Sequence, residues 1–416
     1  MLAKNNTILK NSDNKIIEPW IIPAIEFDNI YSDFPAYISS GKRHPTGSFE
    51  FTSSISNTIY IDYGDGEQRE LDFITSVDVN RTSYLLKTYP TAERRRIKIR
   101  FKHPGKIQSV RIALCTFHGD FPKAFAYMSL KNLDINSYTR FNNDIFDFPA
   151  VYYDGLSLNI VFNTSTKEIP VWLSKSRIKF LRLGNAFNLT STSIENINTI
   201  SKIKDLTELS ISASINELPN TLKNISTLRT LAFGGGNYIK EIRLEIRDCK
   251  QIKRLFFGYL HASNMEGFAI TGQQEYGNFN SWGVGIGGML NLEVLKIEYC
   301  ESTPTSLPEG IDSCPNLTDI ILCGNYTTVA RIDEFINTAY QQIVTNNILK
   351  TVNLNIAKFW GVNAEPSGVY QAPNGFIKGV NNGTPATPKE KIYVIVNNYG
   401  WTVKIMEGTV IKTYTP

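Results

Sequence analysis

Side chains that carry covalent or metal chemistry are few and scattered in this 416-residue chain. Its four histidines are His44, His103, His118 and His261, and its five cysteines are Cys115, Cys249, Cys300, Cys314 and Cys323. No Cys-x-x-Cys pair or His-Glu-x-x-His run gathers them, which makes them poor material for a zinc site. An odd number of distant cysteines is not a disulfide framework either, and they read as small buried hydrophobes. A Gly-x-Ser-x-Gly elbow and a Walker loop are both missing. Gly234-Gly235-Gly236 reads as a tight turn, because no Lys-Ser/Thr follows it to hold a phosphate. The carboxylate pair that glycoside hydrolysis needs cannot be located in sequence. The chain is therefore expected to be non-enzymatic, with no catalytic residues, no metal and no cofactor.

Recognition is the remaining chemistry, and composition narrows its partners. Lysine and arginine number 43 against 39 acidic residues, a net charge of +4, while aromatics reach 12%. Such a balance gives no clustered basic field for a phosphate backbone, so nucleic acid is not expected as a partner. Apolar runs such as 16–25 are short and broken by Pro19 and Pro23, so no membrane insertion is expected. The first fifteen residues are largely polar and lack the apolar core of an export signal. The expectation is a chain kept inside the cell or released without a signal, as in a phage particle. Asn-x-Ser/Thr triplets, at Asn80, Asn163, Asn188, Asn224, Asn316, Asn325 and Asn382, read as chance in an Asn- and Thr-rich chain.

A repeat supplies the frame that must position any binding residues. The pattern apolar-x-x-apolar-x-apolar recurs at Leu130/Leu133/Ile135, Tyr153/Leu156/Leu158, Ile178/Leu181/Leu183, Leu206/Leu209/Ile211 and Leu228/Leu231/Phe233. It continues at Ile252/Leu255/Phe257, Leu292/Leu295/Ile297, Leu317/Ile320/Leu322 and Leu349/Val352/Leu354. Period-two alternation buries one side of a short strand, and only stacking with the next repeat completes a core. Leu218-Pro219 and Leu307-Pro308 lie where Pro can open a helical turn between strands. Residues 125–357 resemble a leucine-rich repeat domain of irregular, bacterial or viral type. Its Asn or Cys after the strand is matched in part, by Cys300 and Cys323, which implies a loosened convex side.

Upstream, Phe49/Phe51, Ile59/Ile61, Leu85/Leu86, Ile97/Ile99/Phe101 and Val110/Ile112 form short alternating runs of antiparallel character. Asp62-Tyr63-Gly64-Asp65-Gly66, with the later Tyr89-Pro90 and Ile97-Lys98-Ile99, resembles polycystic-kidney-disease (PKD)-type immunoglobulin-like domains. Asp62 and Asp65 read as turn formers in preference to calcium ligands. Arg94-Arg95-Arg96 reads as a solvated edge. Toward the C-terminus, Lys391–Val396 reads as an alternating strand that an Asn397–Trp401 turn joins to Val403 and Ile405 in a hairpin.

The expected fold is mixed and β-rich: a small antiparallel β-sandwich followed by a leucine-rich repeat solenoid with a C-terminal β cap. Its domains are an N-terminal arm (1–40), the PKD-like sandwich (41–118), the solenoid (119–360) and the cap (361–416). The concave face offers Phe180, Arg182, Glu208, Arg254, Phe256, Lys296 and Ile321 as binding residues. Its central outward column is expected to run Asp134, Ser157, Arg182, Ser210, Ala232, Phe256, Lys296, Ile321 and Asn353, beside a column that ends at Thr351. The long step from Ile252 to Leu292 holds Tyr259, His261, Phe268, Tyr276, Phe279 and Trp282, and aromatics in such an insertion can stack on sugars or anchor a protein.

This arrangement resembles virion and surface proteins of Bacteroides-type phages and bacteria. The resemblance implies a phage virion component, such as a fibre, decoration or receptor-binding protein, that contacts a host-surface glycan or protein. Its arm and β domain would join other virion proteins, and a homo-oligomer is allowed. The alternatives are a bacterial interaction scaffold or adhesin, in the cytoplasm or at the cell surface, and a glycan-active enzyme.

Overall fold

The computed structural model describes residues 9–10, 16–17, 25–29, 48–64, 66–74, 76–78, 96–113, 115–117, 128–139, 156–162, 169, 173–174, 177–183, 194–212, 215, 217–234, 239–258, 279–300, 302–357 and 363–416. The chain is β-rich, with a large, mostly parallel sheet, a smaller antiparallel sheet and a few helices. It divides into two compact units, Met1–Leu206 and Thr207–Pro416.

In the first unit, β1 (Leu9–Lys10) and β2 (Ile16–Ile17) form a short antiparallel pair. They are followed by β3 (Ile25–Asn29), β4 (Ser48–Ser53), β5 (Asn57–Asp62), β6 (Gln68–Phe73), β7 (Ser76–Asp78) and β8 (Arg96–Phe101). Next come β9 (Ile107–Ala113), β10 (Cys115–Phe117), β11 (Asn132–Thr139), β12 (Leu156–Phe162) and β13 (Ile178–Leu183). The antiparallel sheet has the order β10-β3-β8-β5-β6. Phe101 of β8 meets Phe51 of β4 edge to face at 4.9 Å, so this sheet packs on a second one that contains β4.

Strand β9 belongs to two kinds of pairing at once. It runs antiparallel to β4, with Val110 opposite Phe51, and parallel to β11, with Val110 opposite Leu133. The parallel ladder thus begins at Val110 and Ile112, inside the stretch whose sequence reads as purely antiparallel. It continues through Leu133, Leu158 and Leu181. Leu158, and not Leu156, pairs with Leu133, two residues later than the repeat pattern suggests. A two-residue shift keeps every side chain on its own face of the strand, so alternation alone does not detect it.

The second unit repeats one parallel step in register. Its strands β14 (Glu208–Ile211), β15 (Thr230–Phe233), β16 (Arg254–Gly258), β17 (Val294–Glu298), β18 (Asp319–Ile321) and β19 (Asn353–Asn355) follow one another in space. Leu209, Leu231, Leu255, Leu295, Ile320 and Leu354 form one continuous, buried row. Here too the last pairing differs from the pattern, since Leu354 and not Val352 faces Ile320. Strands β15 to β18 start the same way: the Thr207 carbonyl accepts N–H bonds from Arg229 and Thr230, Arg229 from Lys253 and Arg254, Lys253 from Glu293 and Val294, and Glu293 from Thr318 and Asp319.

Between strands, Pro219 precedes a 3-10 turn at Asn220–Asn224, as its position implies. Helix α1 (Val329–Thr345) buries Ile332, Phe335, Ile336, Ala339 and Ile343, and the Gln342 carboxamide both donates to the Leu307 carbonyl and accepts from its N–H.

The C-terminal stretch corrects the sequence reading. A hairpin of β20 (Asn374–Ile377) and β21 (Asn381–Thr384) precedes helix α2 (Pro388–Tyr399), which contains the expected strand at Lys391–Val396. Thr387 and Glu390 close a capping box, Pro388 opens the first turn, and Gly400 ends the helix in the left-handed region at φ 71°. Those caps outweigh the strand preference of the Tyr-Val-Ile-Val run. Strand β22 (Thr402–Glu407) then joins the ladder in parallel, with Val403 beside Leu354, and β23 (Val410–Tyr414) folds back antiparallel on it.

Candidate binding face

The register fixes which residues share a row on the outward side of the ladder. In the second unit one row runs Glu208, Thr230, Arg254, Val294, Asp319, Asn353 and Thr402. The next runs Ser210, Ala232, Phe256, Lys296, Ile321, Asn355 and Lys404. In the first unit Ser157 pairs with Phe180, while Asn159 pairs with Arg182. The expected column is therefore corrected at both ends: Asn159 replaces Ser157 beside Arg182, Asn355 replaces Asn353 beside Ile321, and Asn353 takes the place given to Thr351.

Burial divides these rows. Glu208 and Phe256 are 4% and 5% exposed, and Ser210 and Ala232 are wholly buried, so both faces of β14 and β15 lie inside the molecule. Phe256 is a packed residue, contrary to its expected exposure, and the open part of the face starts farther along. Ile321, Asn355 and Lys404 are half-buried, as are Arg254, Val294, Asp319 and Thr402, Lys296 is mostly buried, and Asn353 is exposed. Phe180 and Arg182 of the first unit are half-buried, and the Lys179 ammonium lies 5.0 Å from the Phe180 ring centroid.

The open rows are held stiffly. Lys296 Nζ is 2.9 Å from Glu298 Oε1, a carboxylate on the same strand that is almost fully buried. Asp319 accepts from Thr318 Oγ1 at 2.6 Å and from Asn353 Nδ2 at 3.2 Å, and Asn355 Oδ1 accepts the Ala357 N–H at 3.1 Å. Gly258, opposite Glu298, is required by sterics: at φ 97° an added Cβ would sit 1.8 Å from the Glu298 carbonyl oxygen.

The insertion after β16 divides as well. Tyr259, His261, Phe268 and Tyr276 lie outside the described residues. Phe279 and Trp282 are core residues, 1% and 8% exposed, and do not offer their rings to a ligand. Phe279 packs on Phe257 at 4.6 Å and on Trp282 at 5.2 Å, and Trp282 Nε1 donates to the Ser306 carbonyl at 2.8 Å. They extend the row of buried rings that Phe233 and Phe257 begin.

Sequence reasoning missed the asparagines that lock neighbouring repeats. Asn325 is buried, accepts the Cys300 N–H and donates to the Ile297 carbonyl; Asn363 accepts the Tyr326 N–H and donates to the Ile356 carbonyl. The signal was present, since Leu317, Ile320, Leu322 and Asn325 fit Leu-x-x-Leu-x-Leu-x-x-Asn, which places an Asn beyond Cys323. Asn291 and Asn316 make a second set at the strand starts, donating to the Lys250 and Leu290 carbonyls.

Reactive groups are muted. Cys249, Cys300, Cys314 and Cys323 are free and buried, and burial pushes the thiols of Cys249, Cys300 and Cys323 up to about 12. Asp62 Oδ1 accepts the Gly64 N–H at 2.9 Å, the side-chain-closed turn its sequence implies. Among the described residues no three His, Cys, Asp or Glu side chains are grouped to hold a metal, and no helix is long and apolar enough to cross a membrane. Compared with models of known protein families and with curated proteins, the chain matches none.

Proposed function

We propose that the chain is a non-enzymatic binding and structural protein: a leucine-rich-repeat-type solenoid behind a PKD-like β-sandwich, closed at its C-terminal end by α2 and β22–β23. Its binding face consists of the outward rows of β17, β18, β19 and β22. The observation that carries this reading is the contrast within the rows. The same positions are sealed at β14 and β15, only narrowly open at Lys296, and accessible at Ile321, Asn353, Asn355 and Lys404. A polar, half-open strip on a rigid frame suits a ligand bound by hydrogen bonds and shape, such as a host-surface glycan or protein.

The setting we infer is a phage particle, in which the N-terminal arm and β domain join other virion proteins. Support for it is the resemblance carried by Asp62–Gly66 together with the repeats. Mass spectrometry of purified particles from the phage that encodes the chain is expected to detect it at structural-protein abundance. Its absence from particles, with accumulation in infected cells, would replace this setting by a cytoplasmic interaction scaffold.

A further inference from the structure

Strand β23 closes the second unit's sheet with one edge on β22 and the other on no described strand. Soluble proteins guard such edges with charge, proline or bulges. The β22–β23 pairing runs without a bulge from Val403 and Tyr414 to Glu407 and Val410, and Val410 and Ile411 are 61% and 53% exposed. The strand's single charge, Lys412, is exposed but paired within the sheet. Lys412 Nζ lies 3.0 Å from Glu407 of the adjacent strand and 5.4 Å from the Tyr414 ring centroid.

We propose that this edge pairs antiparallel with β23 of a second copy of the chain, about a twofold axis at Ile411. A twofold strand pair must set one residue opposite itself. Centring on Lys412 would oppose two ammonium groups, which is destabilising. Centring on Thr413 would set Val410 against Pro416, which has no N–H to donate. Centring on Ile411 sets Ile411 on Ile411, Val410 on the Lys412 stem, and Thr409 on Thr413. Charge allows a copy of the chain as well: beside the edge the Glu365 and Glu407 carboxylates are paired with Lys389 and Lys412, so these four groups present no net like charge to a second copy. One short strand pair is a small contact, so the dimer dissociates with a constant on the order of micromolar. The inference stands independently of the ligand of the outward face.

Sedimentation equilibrium of the full chain across the micromolar range tests it. The mass is expected to double with concentration, and Ile411→Lys is expected to remain monomeric with an unchanged melting temperature. Mild oxidation of Ile411→Cys should yield a disulfide-linked dimer, whereas Lys412→Cys and the parent chain should not. A parent chain that stays monomeric, an Ile411→Lys variant that dimerises like the parent, or cross-linking through position 412 in place of 411 would overturn it.

Discussion

The Cys300 N–H donates to the Asn325 side-chain oxygen at 2.8 Å, and the same carboxamide returns a bond to the Ile297 carbonyl at 2.8 Å. One buried side chain thus satisfies the backbone of the preceding turn, where no strand is available to do so. Replacing Asn325 by Ala leaves a buried donor and acceptor unpaired, at about 1–3 kcal/mol each. Urea unfolding of the variant should show a loss of about 2–4 kcal/mol, against less than about 1 kcal/mol for the exposed Asn316→Ala. Similar losses would mean that Asn325 does not lock the repeats.

Gly258 and Gly408 separate close approach from backbone strain. Both have positive φ, but an added Cβ at Gly408 meets nothing within 4 Å, whereas at Gly258 it collides with the Glu298 carbonyl. Gly408→Ala should cost about 1 kcal/mol. Gly258→Ala should cost several times that and lower the melting temperature by many degrees. Equal melting curves would contradict the close packing of β16 on β17.

The thiols give a chemical reading of burial. Four of the five cysteines are free and buried, and three of them have pKa values pushed up to about 12. At pH 8 a thiol-specific chromogenic disulfide should label at most one cysteine, by 5 − 4, in the native chain. All five should react in denaturant. Rapid native labelling of two or more would show that the repeats open.

Acid should loosen the C-terminal end first. Hydrogen bonds from Lys389 and the Gly408 N–H hold the Glu365 carboxyl below its ordinary value of 4.5. Burial pushes Glu407 the other way, but bonds from Tyr414 and Lys412 and the nearby lysine charges bring it below that value too. Depressed carboxyls stabilise the fold fully above their unfolded value, and the contribution is lost as pH falls through the folded one. Hydrogen exchange in 402–414 should therefore accelerate below about pH 4.5 relative to 208–211, and Lys389→Met should weaken this difference. A pH-independent ratio would rule out the carboxylates as the clamp.

Much of the ladder was legible because its strands bury one face, and that writes alternation at Leu209, Leu231, Leu255 and Leu295. Alternation has period two, so it could not tell Leu156 from Leu158 or Val352 from Leu354, and the outward columns slipped there. At Lys391–Val396 the β-branched run obscured caps at Thr387, Glu390 and Gly400 that decide for helix. Exposure was the least legible quantity. Phe256 occupies an outward position and Phe279 and Trp282 an insertion, yet all three are buried, which alternation along a single strand does not report. Ile321 and Asn353, by contrast, occupy the accessible part of the face.

The binding face itself is tested most directly on cells. Under the proposed phage setting, purified chain, fluorescently labelled, can be titrated onto the host bacterium, beside an Ile321→Glu/Asn355→Lys double variant with matched melting temperature. If the outward rows of β17, β18, β19 and β22 make the contact, the double variant binds at least about tenfold more weakly, a loss of about 1.4 kcal/mol. Equal binding by the two proteins would contradict it.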